Sequence, residues 1–269
     1  MKAIALTSSD IIAIKKHLDN IKRILGDKIE MMELGGSMSK GTELRGLSDV
    51  DALFFINKFY TDSSPKYIKT MMKRILEKSL PNTEIVIGNL SVTVKFSDVE
   101  VQLLPAVKLK EGSIRIVSEN GKSWSSEIDY KAFEKKLDGV CKQYGKSKNG
   151  DDKVRCIIKL MKYSENKAPE DSKLTNYHIE NIVVKALDGY CNKHVKESDL
   201  LVRCYDYASK RVLKKMDEIT GQSAIIDEYL GPSNDVLRHE ISERMTSNKK
   251  IVSSRNPDFR ILMDVKKQR

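Results

Sequence analysis

The chain has 269 residues, of which 40% are hydrophobic and 32% are charged, and its formal net charge is +10. This composition indicates a soluble globular protein with a core to bury, and no apolar run approaches the ~20 residues that cross a bilayer. The N-terminal apolar stretch is too short for a secretory signal, so we expect a cytoplasmic protein. The basic charge suits a polyanionic partner, either nucleic acid or nucleoside triphosphates.

Apolar periodicity predicts mixed helices and strands in the first half of the chain. The pattern begins with a helix that Ser8 or Ser9 caps, a strand at 31–34, a short helix at 38–44 and a buried strand at 49–56. It continues with a helix between Pro65 and Pro81 and strands at 84–87, 91–96, 99–104 and 112–117. Pro105 is expected to stop the strand that precedes it.

The pattern becomes almost purely helical after Tyr130. Helical spacing covers residues 131–145, 151–165, 174–193, 197–218 and 233–246, and the tail from Thr246 is predicted to be a late strand or a loosely held end. Because strands give way to helices, we predict two domains, a core at 1–130 and a helical lobe at 131–269.

The four cysteines include no C-x-x-C pair. Cys156 lies in an amphipathic helical pattern, which favours a small buried thiol. Cys191, His194 and Cys204 could be interpreted as a metal cluster, but a fourth ligand at usable spacing is missing.

Residues 35–51 are the most informative segment for function. The segment ends in Asp49 and Asp51, which are followed by an apolar run. Side chains two apart on a strand point to the same face, so these carboxylates would lie side by side where the strand starts. Paired carboxylates hold magnesium, and the exposed amides of a turn such as Gly35-Gly36-Ser37 hold phosphate. Together they predict metal-assisted nucleotidyl transfer.

Nucleotidyl transfer with two metal ions normally takes a third ligand from a neighbouring strand. Here that strand is 99–106. Its candidates are Glu100 and Gln102, which share one face of the strand and lie roughly 6.6 Å apart along it.

The segment 36–51 reads G-S-x-x-K-G-T-x-L-R-G-x-S-D-x-D and resembles the signature of the polymerase-β-like nucleotidyltransferases. It is most similar to the group of oligoadenylate synthetase, cGAS and the bacterial cGAS/DncV-like nucleotidyltransferases (CD-NTases), with archaeal CCA-adding enzymes next. Later segments continue the resemblance. Residues 99–106 match the strand that brings the third ligand, and residues 158–163 and 176–180 resemble segments of cGAS-like proteins. Residues 121–125 resemble a segment of the bacterial enzymes, and residues 220–223 and 227–231 resemble the oligonucleotide cyclases of CBASS defence.

The resemblance implies roles for residues of the signature. Gly36 and Ser37 match the turn that contacts the donor triphosphate. Asp49 and Asp51 match metal ligands of the catalytic site.

In the helical half, the resemblance implies a nucleotide-binding set. Lys162 matches a lysine that contacts donor phosphates. Asn176 occupies the place of a phosphate-contacting serine, and Tyr177 occupies the place of an aromatic residue that stacks on the base.

Gln102 departs from the pattern of the family. The usual third aspartate lies three residues before the proline, and Gln102 has that position here. A glutamine carbonyl can ligate magnesium, but it adds no negative charge. We therefore expect a catalytic set of Asp49, Asp51, Glu100 and Gln102, in which Glu100 is a metal ligand or Gln102 orients the acceptor.

The resemblance implies an α/β (α+β) fold, in which a nucleotidyltransferase core with a mixed sheet packs against a C-terminal helical lobe and forms the active cleft with it. It implies an enzyme that joins nucleoside triphosphates into a cyclic di- or oligonucleotide messenger with two Mg²⁺ ions, or Mn²⁺, and releases pyrophosphate. An effector protein would read the product in anti-phage signalling, and neither a membrane nor a stable nucleic-acid partner is expected. Two alternatives remain, a template-independent RNA or tRNA nucleotidyltransferase and, because of Gln102, a nucleotide- or RNA-binding pseudoenzyme.

Overall fold

The computed structural model describes residues 4–46, 49–109, 112–147, 149–190, 195–222 and 226–254. It divides into two compact units, a first unit of Ala5–Lys131 and a second unit that begins at Ala132. The division falls beside the position where the sequence pattern changes from strands to helices. None of the described helices is long and apolar enough to cross a bilayer.

The first unit is built on a mixed sheet with helices against one face. Its elements in chain order are α1 Ser8–Leu25, β1 Ile29–Leu34, α2 Gly36–Lys40, β2 Val50–Ile56, α3 Pro65–Ser79, β3 Glu84–Ile87, β4 Val92–Lys95, β5 Glu100–Lys108 and β6 Ile114–Ile116. The strand order is β1-β2-β5-β4-β3, and β6 pairs with β5. β2 and β5 run parallel, whereas the other pairs are antiparallel.

The alternation of side chains along β2 creates two different faces. Val50, Ala52 and Phe54 belong to the main core of this unit, which also contains the apolar residues of α1 and α3. Phe55 belongs to a smaller cluster on the opposite face. Asp51 shares that opposite face with Phe55, so burial of the even-numbered residues fixes the direction of the Asp51 carboxylate.

Thr7 is the N-cap of α1, and the prediction that Ser8 or Ser9 caps this helix is wrong. The Asp10 amide donates to the Thr7 hydroxyl at 3.2 Å, and the Thr7 amide donates to the Asp10 carboxylate at 2.7 Å. These reciprocal bonds satisfy two amides at the helix end, which a lone serine cap would not do.

β5 continues through Pro105 to Lys108, so the prediction that proline ends this strand is also wrong. Pro105 lies between Leu103, the last residue of β5 opposite β4, and Ala106, the first opposite β6. The missing N–H therefore falls in the gap between two antiparallel partners, where no ladder bond is lost.

The second unit is helical. Its helices are α4 Ala132–Tyr144, α5 Lys153–Glu165, α6 Asn176–Leu187, α7 Glu197–Arg211 and α8 Val236–Ser253. They surround one core, whose members include Ile158, Ile182, Leu200 and Ile241.

Several boundaries in the second unit differ from the prediction. α8 extends to Ser253, where a strand or a loose end was predicted from Thr246, because Met245 and Val252 continue its buried face. α6 and α7 end earlier than predicted. Cys191 and His194 of the alternative metal cluster lie outside the described residues, as does the chain beyond Ser254.

Candidate active site

Asp49 and Asp51 lie at the start of β2, with Asp49 directly before the strand and Asp51 as its second residue. The turn that follows β1 packs against them. The Gly35 amide donates to the Asp51 carbonyl at 2.8 Å. Gly36 has φ of +54°, and a Cβ atom on it would lie 1.9 Å from Asp51 Oδ2. Only glycine fits there, since both the backbone conformation and the closeness of the carboxylate exclude a side chain.

Residues 37–44 hold this turn in place. The Thr42 amide donates to the Ser37 carbonyl at 2.9 Å, and both Thr42 and Leu44 are buried. Met38 packs against the main core of the first unit. Gly36 and the partly exposed Ser37 therefore lie on a short helix that is anchored at its far end.

Gln102 joins the pair of aspartates from the neighbouring strand. The parallel register places Gln102 directly beside Asp51, and the Gln102 amide Nε2 donates to Asp49 Oδ2 at 2.7 Å. An ionised carboxylate only accepts hydrogen bonds, so the nitrogen must face it and the Gln102 oxygen points elsewhere. Gln102 therefore orients Asp49 in this arrangement and adds no charge to the site.

Glu100 begins β5, where it is exposed and pairs in register with Lys95 of β4. It lines the same cavity as Asp49, a space of about 900 Å³. Among the described residues, no three His, Cys, Asp or Glu side chains come close enough to form a metal-binding group. Asp49, Asp51 and Glu100 are all described, so the predicted three-carboxylate set is not gathered here.

Asp10 and Arg45 line the same cavity and form an ion pair, with 3.0 Å between Arg45 Nε and Asp10 Oδ2. Hydrogen bonds from Thr7 lower the pKa of Asp10, and the charge of Arg45 lowers it further. The pair ties the end of the signature loop to the start of α1. Asp10 was not among the residues predicted from the sequence, although the spacing of Thr7 and Asp10 is that of a helix-capping pair.

Of the predicted site residues in the first unit, Gly36, Asp49, Asp51 and Gln102 thus lie together where β2 begins. A comparison with sequence families adds to this picture. Residues 2–137, about half of the chain, match the profile of the Second Messenger Oligonucleotide or Dinucleotide Synthetase (SMODS) domain. The chain belongs to the SMODS family. This assignment confirms the resemblance to CD-NTases and the prediction of a nucleotidyltransferase that makes an oligonucleotide messenger.

Solved structures share the fold with this SMODS protein. The CD-NTase CdnG of Bradyrhizobium diazoefficiens in complex with GTP has a TM-score of 0.75 at 12% identity, covering 97% of this chain and 90% of that one. CdnC of E. coli MS115-1 with ATP has a TM-score of 0.67 at 16% identity, covering 96% and 91%. The c-di-GMP synthase CdnE of Capnocytophaga granulosa has a TM-score of 0.67 at 13% identity, covering 93% and 80%. A comparison with curated protein sequences finds no match. The predicted fold class is confirmed.

The donor atoms of the SMODS site fit a hard divalent cation. Asp49 and Asp51 offer carboxylate oxygens, and Gln102 is bonded to Asp49 through its amide nitrogen. Magnesium is typically bound by one or two carboxylates and completes its shell with water and substrate phosphates.

The nucleotide-binding residues predicted for the helical half lie on α5 and α6 of the second unit. Asn176 and Tyr177 are the first two residues of α6, which Thr175 caps, and both are exposed. Lys162 is buried on α5, and its Nζ pairs with Glu180 Oε1 at 2.6 Å. A phosphate contact of Lys162 stays a prediction, and it requires the ammonium to be shared with or released from Glu180.

Proposed function

We propose that this protein joins nucleoside triphosphates into a cyclic di- or oligonucleotide and releases pyrophosphate. One observation supports this most directly. Asp49 and Asp51 lie beside the Gly36 turn in a SMODS core, with Gln102 bonded to Asp49. Structures of the same fold that hold GTP and ATP support triphosphates as the substrates.

Asp49 and Asp51 are the proposed ligands of magnesium or manganese. The metal, when bound, supplies charge neutralisation for the triphosphate and activates the attacking hydroxyl. Gln102 keeps the Asp49 carboxylate in one orientation through its amide. The Gly36 amide and the Ser37 side chain, at the start of α2, are proposed to contact the triphosphate.

Glu100 is proposed to act at the acceptor end of the site. It lines the cavity that Asp49 also lines. Its proposed contact is therefore a hydroxyl or a second cation in that cavity, and not the carboxylate of Asp51. Asn176 and Tyr177 are proposed to hold the phosphate and the base of a bound nucleotide, and Lys162 a phosphate.

A cyclic product implies a receiver, since the messenger itself carries out no reaction. We propose that an effector protein binds the product during anti-phage signalling in the cytoplasm. This part of the proposal depends on the family alone.

Labelled ATP and GTP with magnesium provide the test. A small product that resists phosphatase, with the mass of a cyclic di- or oligonucleotide, is the expected result. Asp51→Asn is expected to abolish it while leaving the thermal unfolding temperature close to that of the wild type, because Asn keeps the volume beside Gly36. Glu119→Gln, a charge loss at an exposed position of the same unit, is the matched control.

Two other results would overturn the proposal in different directions. Extension of added RNA would indicate an RNA nucleotidyltransferase. Nucleotide binding without turnover would indicate a pseudoenzyme, for which Gln102 would be the structural reason.

A further inference from the structure

The side chain of Glu218 lies behind the first turn of α6 and is not among the residues predicted to act in this protein. Glu218 is only 4% exposed. The Tyr177 hydroxyl donates to its Oε1 at 2.6 Å. Its Oε2 accepts the Thr220 amide at 2.7 Å and also the Thr220 hydroxyl. Both oxygens of a buried carboxylate are thus committed to neighbours, one of which is Tyr177.

Asn181 makes a second link between α6 and the same segment. Its Nδ2 donates to the Tyr177 carbonyl at 2.9 Å, and its Oδ1 accepts the Ile219 amide at 3.0 Å. Asn181 is fully buried. The backbone of Tyr177 is therefore tied to residue 219 and its phenol to residue 218, so the segment that follows α7 holds both ends of the residue.

The Tyr177 ring is fixed but not covered. The residue is 39% exposed, and on one side its ring packs against Phe133 at a centroid distance of 5.3 Å. Desolvation of the hydroxyl, and next its bond to Glu218, raise the pKa of Tyr177 well above its usual value. The phenol consequently stays protonated and keeps donating to Glu218 at any working pH.

We propose that Glu218 is a positioning residue that holds the Tyr177 ring in the orientation in which a nucleobase stacks on it. The proposal rests on the function proposed above, because it takes Tyr177 as the base-stacking residue. A ring held by both its hydroxyl and its backbone loses little freedom on binding, so the bond to Glu218 contributes to affinity without touching the nucleotide.

Binding of ATP and GTP in the presence of Ca²⁺, measured by calorimetry, and steady-state kinetics with Mg²⁺ test the proposal. Stacking on an aromatic residue changes affinity by roughly one to two orders of magnitude per base, and Tyr177→Ala is expected to lose that amount. Glu218→Gln keeps the shape of the side chain but replaces one of its two acceptor oxygens with an amide nitrogen, which donates. It is expected to raise the Kd and KM of the stacked nucleotide by about three- to tenfold with little change in kcat, which is the result of lost ground-state binding.

Tyr177→Phe provides the decisive control, because it removes the hydroxyl that Glu218 accepts. In that background, Glu218→Gln is expected to have no further effect on KM, so the two substitutions are not additive. Glu240→Gln changes an exposed acid on α8 and is expected to match the wild type. The proposal would be overturned if Glu218→Gln raised KM equally in the wild type and in Tyr177→Phe. It would also be overturned if Glu218→Gln lowered only kcat and did so together with a lower unfolding temperature.

The same measurements separate this proposal from the proposed function. Wild-type protein that binds neither ATP nor GTP would remove the basis of both. Wild-type protein that binds and turns over nucleotides, together with a Glu218→Gln variant that binds them equally well, would reject only the role of Glu218.

Discussion

At the scale of single residues, the Asp49–Gln102 contact is the feature that distinguishes this site from the pattern of its family. A usual third aspartate would bring a third carboxylate to the pair, whereas Gln102 brings an amide that donates to Asp49. A like charge at that distance raises the pKa of one of the carboxylates, and an amide avoids this repulsion. The site thus has one anionic metal ligand fewer than the family pattern and an amide donor to Asp49 in its place.

The variants Gln102→Ala and Glu100→Ala separate the two residues that were predicted to complete the site. We expect Gln102→Ala to lower the rate of triphosphate consumption by about 10- to 100-fold, as is typical when a group that orients a metal ligand is removed. The magnesium concentration for half-maximal rate should rise as well. Glu100→Ala is expected to cause the smaller loss, because Glu100 is not gathered with the aspartates. A larger loss in Glu100→Ala, measured under the same conditions, would reverse the assignment.

Gly36 provides a prediction with a matched control elsewhere in the chain. Gly36 and Gly145 both have positive φ, +54° and +65°, but only Gly36 has a neighbour, Asp51 Oδ2, where a Cβ atom would lie. Alanine at either position is expected to destabilise the protein by about 1 kcal/mol through the backbone. Gly36→Ala should also displace the Asp51 carboxylate and abolish synthesis.

Activity assays and chemical denaturation of the two glycine variants decide this point. Gly145→Ala is expected to keep the wild-type rate once the folded fraction is taken into account. Equal activity of Gly36→Ala and Gly145→Ala would mean that the Asp51 carboxylate tolerates displacement, and its assignment as a metal ligand would then fail.

At the scale of elements, much of the secondary structure could be predicted from periodicity. The alternation of Val92 and Val94 predicted β4, and Ser64 followed by Pro65 predicted the start of α3. Both signals are local in the sequence. The error at Pro105 arose where a distant part of the chain decides the outcome, whereas the Thr7 cap of α1 is a local pattern that the prediction missed. Pro105 is tolerated in β5 because β4 and β6 leave a gap there, and nothing near Pro105 in the sequence reports that gap.

The same limit explains which parts of the site could be predicted. Asp49, Asp51 and the Gly36 turn are close in sequence, so a strand and a turn suffice to bring them together. The bond from Gln102 to Asp49 depends on the register of two strands and on a side-chain rotamer, and the ion pair of Asp10 and Arg45 depends on how α1 packs. The sequence therefore predicted that Glu100 and Gln102 of β5 are the candidates to complete the site, but it did not determine which of them contacts Asp49.

The C-terminal boundary of α8 is a further case of distant control. Arg238 is fully buried, and its guanidinium donates to Asp227 Oδ2 at 2.7 Å and to the carbonyls of Val212 and Gly231. A buried charge is stable only when its donors are satisfied in this way. The partners precede α8 in the chain and hold its first turn. Its extension to Ser253 follows from Met245 and Val252, which continue the buried face of the helix.

At the scale of the whole molecule, the fold is similar to that of solved structures whose sequences differ widely from this one. TM-scores from 0.65 to 0.75 accompany identities of only 10% to 16%. The fold is therefore shared at low sequence identity. The buried polar residues of the second unit are individual features of this chain, and they can be tested by their effect on global stability.

His178 is the buried group whose protonation should matter most for that stability. It is fully buried on α6, and its Nδ1 contacts the Tyr229 hydroxyl at 3.0 Å. The Tyr229 hydroxyl also accepts the Thr175 amide at 3.0 Å, and whether it donates to His178 Nδ1 or accepts from it depends on the tautomer of the histidine. Burial lowers the pKa of His178 from 6.5 to about 4, an effect that the nearby charge of Arg238 reinforces and that of Asp227 opposes.

Stability should therefore fall as the pH falls from 6.5 towards 4, because in that window the unfolded chain binds a proton at this histidine and the folded chain does not. The contribution is at most about 1.4 kcal/mol per pH unit. His178→Asn keeps an acceptor for Tyr229 but cannot titrate, so urea unfolding followed by the helical circular dichroism signal should show a shallower pH dependence for this variant. His239→Asn, at an exposed position on α8, should keep the wild-type slope. If His178→Asn lost stability with acid as steeply as the wild type does, the proton would be binding elsewhere, and the neutral state of His178 would not be what sets the acid limit of the fold.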